Sequence, residues 1–266
     1  ISSCWPQGPA GCERFSETIN AYFARLLGAI AAHGGDVDCF AGDALVVVFE
    51  APDAPGLGGM ALRAARCAAE LLQEHSPFEA AAGMPPLALH NSITAGALWC
   101  CDVGAPGRRA TFLHGEPMAV LNTAHVQAER GECVVTPATW TLLAAHGVRG
   151  TPVASGCVRL DLAQIWPPAP PAPPAAPLPA VWTPAQAAEL RCYMPAFVAA
   201  AMDQGRAAYL AELRTVTVLF AAMAAPPPGT AADAHFRQTQ QHVSTAIALI
   251  EQRWHGATRQ VTELEK

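Results

Sequence analysis

The sequence predicts an α+β fold in which helices pack on a mostly antiparallel sheet. Three features predict it. Long apolar stripes at helical spacing alternate with short strand-like runs in the order α, ββ, α, β, β, α, β, α, β. A proline-rich run then separates off a shorter segment, and that segment repeats the pattern of the beginning. Of 266 residues 52% are apolar and 14% charged, which describes a chain that packs. Much of the apolar count is alanine, which weakens the periodicity signal.

Residues 1–11, rich in Ser, Pro and Gly, read as a loop, and the first strand of the domain is expected to be missing. Phe15, Ile19, Tyr22, Phe23, Leu26, Leu27 and Ile30 then form one helical stripe that ends near Gly34-Gly35. A short strand, an Ala-Gly-Asp turn and a second strand over 44–49 follow. That second strand is apolar on both faces, as a central strand would be. A helix over 59–75 turns Ala61, Leu62, Ala65, Ala68, Ala69 and Leu72 inward. Strands are expected at 87–98 and 110–113, and a helix at 116–129 with Pro117 in its first turn. A strand at 133–135, a helix at 137–145 and a closing strand at 158–165 complete the domain.

Residues 166–184 (WPPAPPAPPAAPLPAVWTP) favour polyproline II and read as a stiff spacer. Beyond it, 185–211 is helical in pattern with a break at Pro195, and 213–220 (LRTVTVLF) alternates like a strand. A long helix over 234–254 carries Val243, Ile247, Leu249 and Ile250 on its apolar side, and 259–264 starts another strand. A helix running into His-Gly and then a short polar strand occurs near both ends, so the chain reads as a duplication. The expected division is a first domain at 1–165, a linker at 166–184, a helical connector at 185–208 and the start of a second domain at 209–266.

The formal charge of −6 offers no basic face for nucleic acid. No apolar run reaches the roughly 20 residues that cross a bilayer, and the beginning lacks a signal-peptide pattern. A soluble cytoplasmic protein is expected. The nine cysteines include no C-x-x-C pair, so free thiols are the expectation, and Cys100-Cys101 reads as two small apolar residues at a strand end. His33, His90, His114 and His125 read as satisfied core or surface histidines, Glu116 and Glu129 as a solvated helix face. Arg108-Arg109 read as a polar hairpin turn more readily than as a phosphate contact.

The stretch HGGDVDCFAGDALVVVF, residues 33–49, organises the rest. Its turn would project the Asp43 carboxylate from a hairpin end, where it could hold a metal ion. Gly42-Asp43 is equally an ordinary hairpin turn signal with no chemistry attached.

This stretch resembles the metal-binding hairpin of class III nucleotidyl cyclases, in particular the first homology half of soluble, bicarbonate-responsive adenylyl cyclases. The resemblance continues in family order through LALHNSITAG, TFLHGEPMAVLNTAHVQAE and GECVVTPATWTLL, and resumes after the proline run with AAYLAELRTVTVLF. It implies a cyclase homology (ferredoxin-like) domain followed by the incomplete start of a second. It also implies ATP as substrate, cyclic AMP and pyrophosphate as products, and two Mg²⁺ (or Mn²⁺) ions in a cleft between paired halves.

Carried onto this chain, Asp43 matches the second metal aspartate. The first would directly precede Ile1, whose backbone carbonyl would then border the metal, with Ser2, Ser3 and Cys4 beside the phosphates. Phe40, Ala41 and Gly42 flank the same site. The resemblance puts Gln260 where an adenine-contacting lysine is expected and Glu265 where a nearby aspartate is. Cys39 and Asn122 replace a lysine and an arginine associated with bicarbonate, and neither replacement keeps the charge. Two readings follow. The full-length protein is an adenylyl cyclase of which this piece alone is inactive, or it is a catalytically degenerate scaffold in a large cytoskeletal or ciliary (axonemal) assembly.

Overall fold

The computed structural model describes residues 8–41, 44–51, 53–54, 56–79, 86–164, 166–169, 181–205, 217–219, 221, 232–254, 256–258 and 261. In chain order the elements are α1 (Gly8–Ala32), β1 (Asp36–Ala41), β2 (Ala44–Val48), α2 (Leu57–Glu74), β3 (Asn91–Ile93), β4 (Trp99–Ala105), β5 (Arg108–His114), α3 (Glu116–His125), β6 (Cys133–Val135), α4 (Pro137–Ala145), β7 (Gly150–Pro152), β8 (Val158–Leu160), α5 (Pro184–Arg191), α6 (Ala196–Asp203) and α7 (Ala232–Ile247). The fold is α+β, with helices and antiparallel-rich sheets. The chain divides into two compact units. One comprises Ile1–Leu98, Gly115–Ala176 and Leu264–Lys266; the other comprises Trp99–His114 and Pro177–Glu263.

In the first unit α1 begins at Gly8, inside the stretch expected to be a loop. Tyr22, Leu26, Ala29 and Ile30 of its apolar stripe are buried. The helix stops because Gly34 adopts φ 73°, while the Gly35 and Gly34 amides donate to the Ile30 and Ala31 carbonyls. That is the glycine-terminated helix end foreseen at Gly34-Gly35. β1 and β2 form a two-stranded antiparallel ribbon. β2 was expected to be central, yet no described strand borders its outer edge, and Leu45 to Val48 are only half-buried. Of the run 213–220, residues 217–219 are described and lie in no strand, with Val218 and Leu219 exposed; the rest falls outside the described residues, as does the strand expected at 259–264 apart from Val261.

α2 turns all six foreseen residues inward, from Ala61 to Leu72. Five of them, all but Ala69, meet Cys133 and Val135 of β6, Leu143 of α4 and Val158 and Leu160 of β8 in one core. The sheet under it has the order β3-β6-β8-β7, with β3 parallel to β6 and the other pairs antiparallel. The strand expected over 87–98 is reduced to β3, because Leu87 exchanges backbone hydrogen bonds with Phe78 instead of entering the sheet. The closing strand stops at Leu160, where the Gln164 side chain and amide both donate to the Asp161 carbonyl and close a turn. α3 ends at His125, four residues early, where a turn brings the Gly131 amide onto the Leu89 carbonyl. Trp166 and Ala169, at the start of the proline run, pack against this core, and Arg66 donates to the Pro167 carbonyl.

In the second unit β4 and β5 pair as a hairpin from Trp99↔His114 to Ala105↔Arg108. β4 has no counterpart among the expected strands. Arg108 and Arg109 stand on β5 rather than in a turn. Arg108 is buried and paired with Glu251, while Arg109 pairs with Asp102. Cys101, Val103 and Phe112 of the hairpin pack with Val243 and Ile247 of α7. The Gln240 side-chain amide donates to the Gly104 carbonyl and accepts from its N–H, and the Ser244 hydroxyl donates to the same carbonyl. Gly104 sits at φ 128°, and a Cβ there would strike the Arg108 carbonyl. After Ile247 the helix widens into a π-helical turn, Ala248–Arg253. This shifts the helical phase, so Leu249, expected on the apolar side, is 43% exposed. The helix break at Pro195 falls between α5 and α6.

Leu143→Ala should destabilise the protein by about 2–5 kcal/mol through the cavity it leaves, whereas Leu249→Ala should change stability by less than about 0.5 kcal/mol; urea unfolding of both variants checks the pair. The hydrogen bond from Arg109, chiefly, holds the Asp102 carboxyl below the usual carboxylate range, helped by Tyr193. A lowered folded pKa gives stability that is present above the unfolded value and lost as pH falls through the folded one. Asp102→Asn should therefore lower stability at neutral and alkaline pH, leave it unchanged at the acid end and flatten the acid limb between them, which urea unfolding across pH checks.

Candidate functional site

The β1–β2 hairpin is fixed to α1 at both ends. At its base the Phe49 ring lies on Gly35, where a Cβ would come within 2.7 Å of the ring and 3.0 Å of Ile30. Toward its tip Phe40 meets Phe23 edge to face, with ring centroids 5.5 Å apart. The ladder runs Asp36↔Val48 and Val37↔Val47, slips at Asp38, then continues from Cys39↔Val46 to Ala41↔Ala44. The slip is a bulge, which increases local twist and re-aims the strand end. Nothing in the sequence pattern marks it.

Cys39 is half-buried opposite Val46, Phe40 is 47% exposed opposite Leu45, and Ala41 faces Ala44. These three are brought together at the hairpin end. Asn122 is exposed on α3, its carbonyl accepting from the Val126 amide. Gly42 and Asp43, which connect Ala41 to Ala44 in sequence, lie outside the described residues, as do Ile1, Ser2, Ser3, Cys4, Gln260 and Glu265. The side-chain oxygens of the described hairpin belong to Asp36 and Asp38, both exposed. Carboxylate oxygens are hard donors that suit Mg²⁺ or Mn²⁺, but Asp36 pairs with Val48 at the base of the ribbon and stands apart from the strand ends at Ala41 and Ala44.

One constellation was not foreseen. Glu70, Glu74 and His75, at the C-terminal end of α2, bring one ligand atom each within 4.8 Å of one another; among the described residues no other group of three does so. His33 bonds to Glu70 at 2.7 Å, and Arg63 donates to the His33 carbonyl. His33 adjoins the base of the hairpin, and five residue steps along β1 separate Asp36 from Ala41, about 16 Å. The cluster and the hairpin tip are therefore separate places. Its sequence signal, carboxylates four apart on a helix, is common on solvated faces.

Four other histidines make ring contacts with one another. His90 meets His125 and His114 meets His235, each pair with ring centroids 4.7 Å apart. Burial pushes the Cys67 and Cys133 thiols up to about 12, with the Glu70 carboxylate adding to the shift at Cys67. Neither is a nucleophile near neutral pH.

No protein-family profile matches the chain, and no curated protein matches it in sequence. In three dimensions it is similar to the guanylyl cyclase Cya2, at 23% identity over 56% of this chain and 79% of that one, with a TM-score of 0.43. It is also similar to the adenylyl cyclase CyaB from P. aeruginosa, at 20% identity over 54% and 79%, TM-score 0.45. A third is the guanylate cyclase domain of RhGC from Catenaria anguillulae in complex with GTP, at 16% identity over 53% and 79%, TM-score 0.43. At these identities and TM-scores the likenesses assign no activity, substrate or residue role to this chain.

The tight seat of Phe49 on Gly35 gives a test of the hairpin's attachment. Gly35→Ala should cost about 1–3 kcal/mol, because the ring must move for the added methyl. Chemical denaturation checks this, and an unchanged midpoint would mean that Phe49 does not rest there.

Proposed function

We propose that the chain is the cyclase homology region of a class III nucleotidyl cyclase of the adenylyl type, converting ATP to cyclic AMP and pyrophosphate in the full-length protein. The observation that carries this reading is the β1–β2 ladder. It closes at Ala41↔Ala44 in the register that leaves Gly42-Asp43 as the connection, as the family's metal hairpin requires. A second observation supports pairing of two homologous halves. α7, from the repeated segment, is clamped through Gln240 and Ser244 onto the β4–β5 hairpin of the first half.

On this reading the Asp43 carboxylate and the Ile1 carbonyl would hold Mg²⁺ or Mn²⁺. The bound metal supplies neutralisation of the triphosphate and activation of the ribose 3′-hydroxyl. The amides of Ser2, Ser3 and Cys4 would border the phosphates, with Ala41, Gly42 and the exposed Phe40 ring as further nucleotide-binding candidates. By the resemblance, Gln260 and Glu265 would be the residues matched to the adenine-recognising positions. Holding the hydroxyl in line with the α-phosphate is the protein's main contribution to rate.

Cys39 and Asn122 favour a second reading. A half-buried thiol and an exposed amide stand where charge is expected, which suits a degenerate scaffold in a cytoplasmic, cytoskeletal or ciliary assembly. Both readings share one fold and differ in activity.

In the full-length protein Asp43→Ala should abolish Mg²⁺- or Mn²⁺-dependent cyclic AMP formation and leave the circular dichroism spectrum unchanged. Retained activity would refute the metal assignment, and an inactive full-length wild type would favour the scaffold. Bicarbonate should stimulate poorly, because neither Cys39 nor Asn122 supplies a fixed cation.

A further inference from the structure

In the second unit, α5 and α6 differ from every neighbour in how they are held. No residue of either helix is buried, and Leu190, Phe197 and Met202 are among their exposed side chains. α7, on the same hairpin, buries Val243 and Ile247. The attachment of α5 and α6 to the hairpin is polar. The Arg109 amide donates to the Cys192 carbonyl at 2.7 Å. The Arg108 guanidinium donates to the Cys192 and Tyr193 carbonyls at 3.4 and 3.2 Å. The Tyr193 hydroxyl donates to Asp102 at 3.0 Å.

The two helices are tied to each other separately. Arg191 forms a two-toothed ion pair with Asp203 at 2.9 and 2.7 Å. Thr183 and Gln186 cap the start of α5 reciprocally. Between this helical pair and the hairpin turn lies a cavity of about 380 Å³, bordered by Gly107, Arg108, Cys192, Met194 and Glu251 among others. The pair thus bridges a gap instead of filling it.

We propose that α5–α6 is a releasable strap: it is fastened across the β4–β5 hairpin by polar contacts at residues 192–193, and opens as one piece while α7 stays packed on the hairpin. Local stability follows buried apolar contact, which α7 has and the strap lacks. Release costs Arg108 two carbonyl acceptors but leaves it Glu251 at 3.3 Å and the Thr258 carbonyl at 2.8 Å. Its buried charge therefore stays paired when the strap is off. The Arg191–Asp203 pair moves with the strap and keeps its two helices together. Because the strap follows the proline run in sequence, a pull on that run would be absorbed by its release before reaching α7.

Hydrogen exchange followed by mass spectrometry on the full chain tests this. In the wild type, amides of 184–203 should exchange at least roughly a hundredfold faster than those of β4, β5 and α7. Tyr193→Phe, which removes one hydroxyl, should speed exchange over 184–203 by about fivefold and leave β4, β5 and α7 unchanged. Arg191→Gln should speed α6 while leaving the Tyr193 contact in place, separating strap integrity from fastening. Exchange of 184–203 in step with α7, or equal acceleration of α7 by Tyr193→Phe, would overturn the proposal.

Discussion

The close approach of α2 to its surroundings is the constraint on which the first unit depends. Its inward face carries Ala61, Ala65, Ala68 and Ala69 beside Leu62 and Leu72, with Ala65 fully buried and Leu62 1% exposed. Small residues let the helix lie near the sheet, and Gly58 takes this furthest: a Cβ there would come within 2.9 Å of the His146 ring. The larger side chains come from the partners, Leu143, Val135 and Leu160, each worth roughly 1.5–3 kcal/mol when taken out of water. The alanines that blur the sequence periodicity are what makes this packing possible.

The candidate site is positioned through that packing at one remove. α1 lies on α2, joined by the Tyr22 hydroxyl to the His75 carbonyl and by Arg63 to the His33 carbonyl. The hairpin in turn is held to α1 by aromatic contacts at base and tip. The strand end at Phe40 is thereby placed by helix packing through Phe23.

Legibility in the sequence followed the strength of each local signal. Cys133–Val135 and Pro137–Ala145 were foreseen to the residue, because a short β-branched run and a proline at a helix start are unambiguous. β4 was not, since WCCDVGA has neither clean alternation nor β-branched density, and it is made a strand by its partner β5 and by α7. Leu249 went astray because a π-helical turn moves the phase without any marker. In the hairpin, the strand end at Phe40 and Ala41 was legible from the Gly-Asp turn signal that follows it. The bulge at Asp38 and the Glu70–Glu74–His75 group were not, as both arise from how distant elements meet.

Two places therefore compete for a divalent ion, the hairpin that carries Asp43 in sequence and the Glu70–Glu74–His75 group at the end of α2. Electron paramagnetic resonance of Mn²⁺ bound to the full-length protein, with and without a non-hydrolysable ATP analogue, separates them. The cyclase account predicts nucleotide-dependent Mn²⁺ binding that Asp43→Asn removes and Glu70→Gln with Glu74→Gln leaves intact. Mn²⁺ binding that ignores nucleotide and disappears only in the Glu70, Glu74 variant would contradict it.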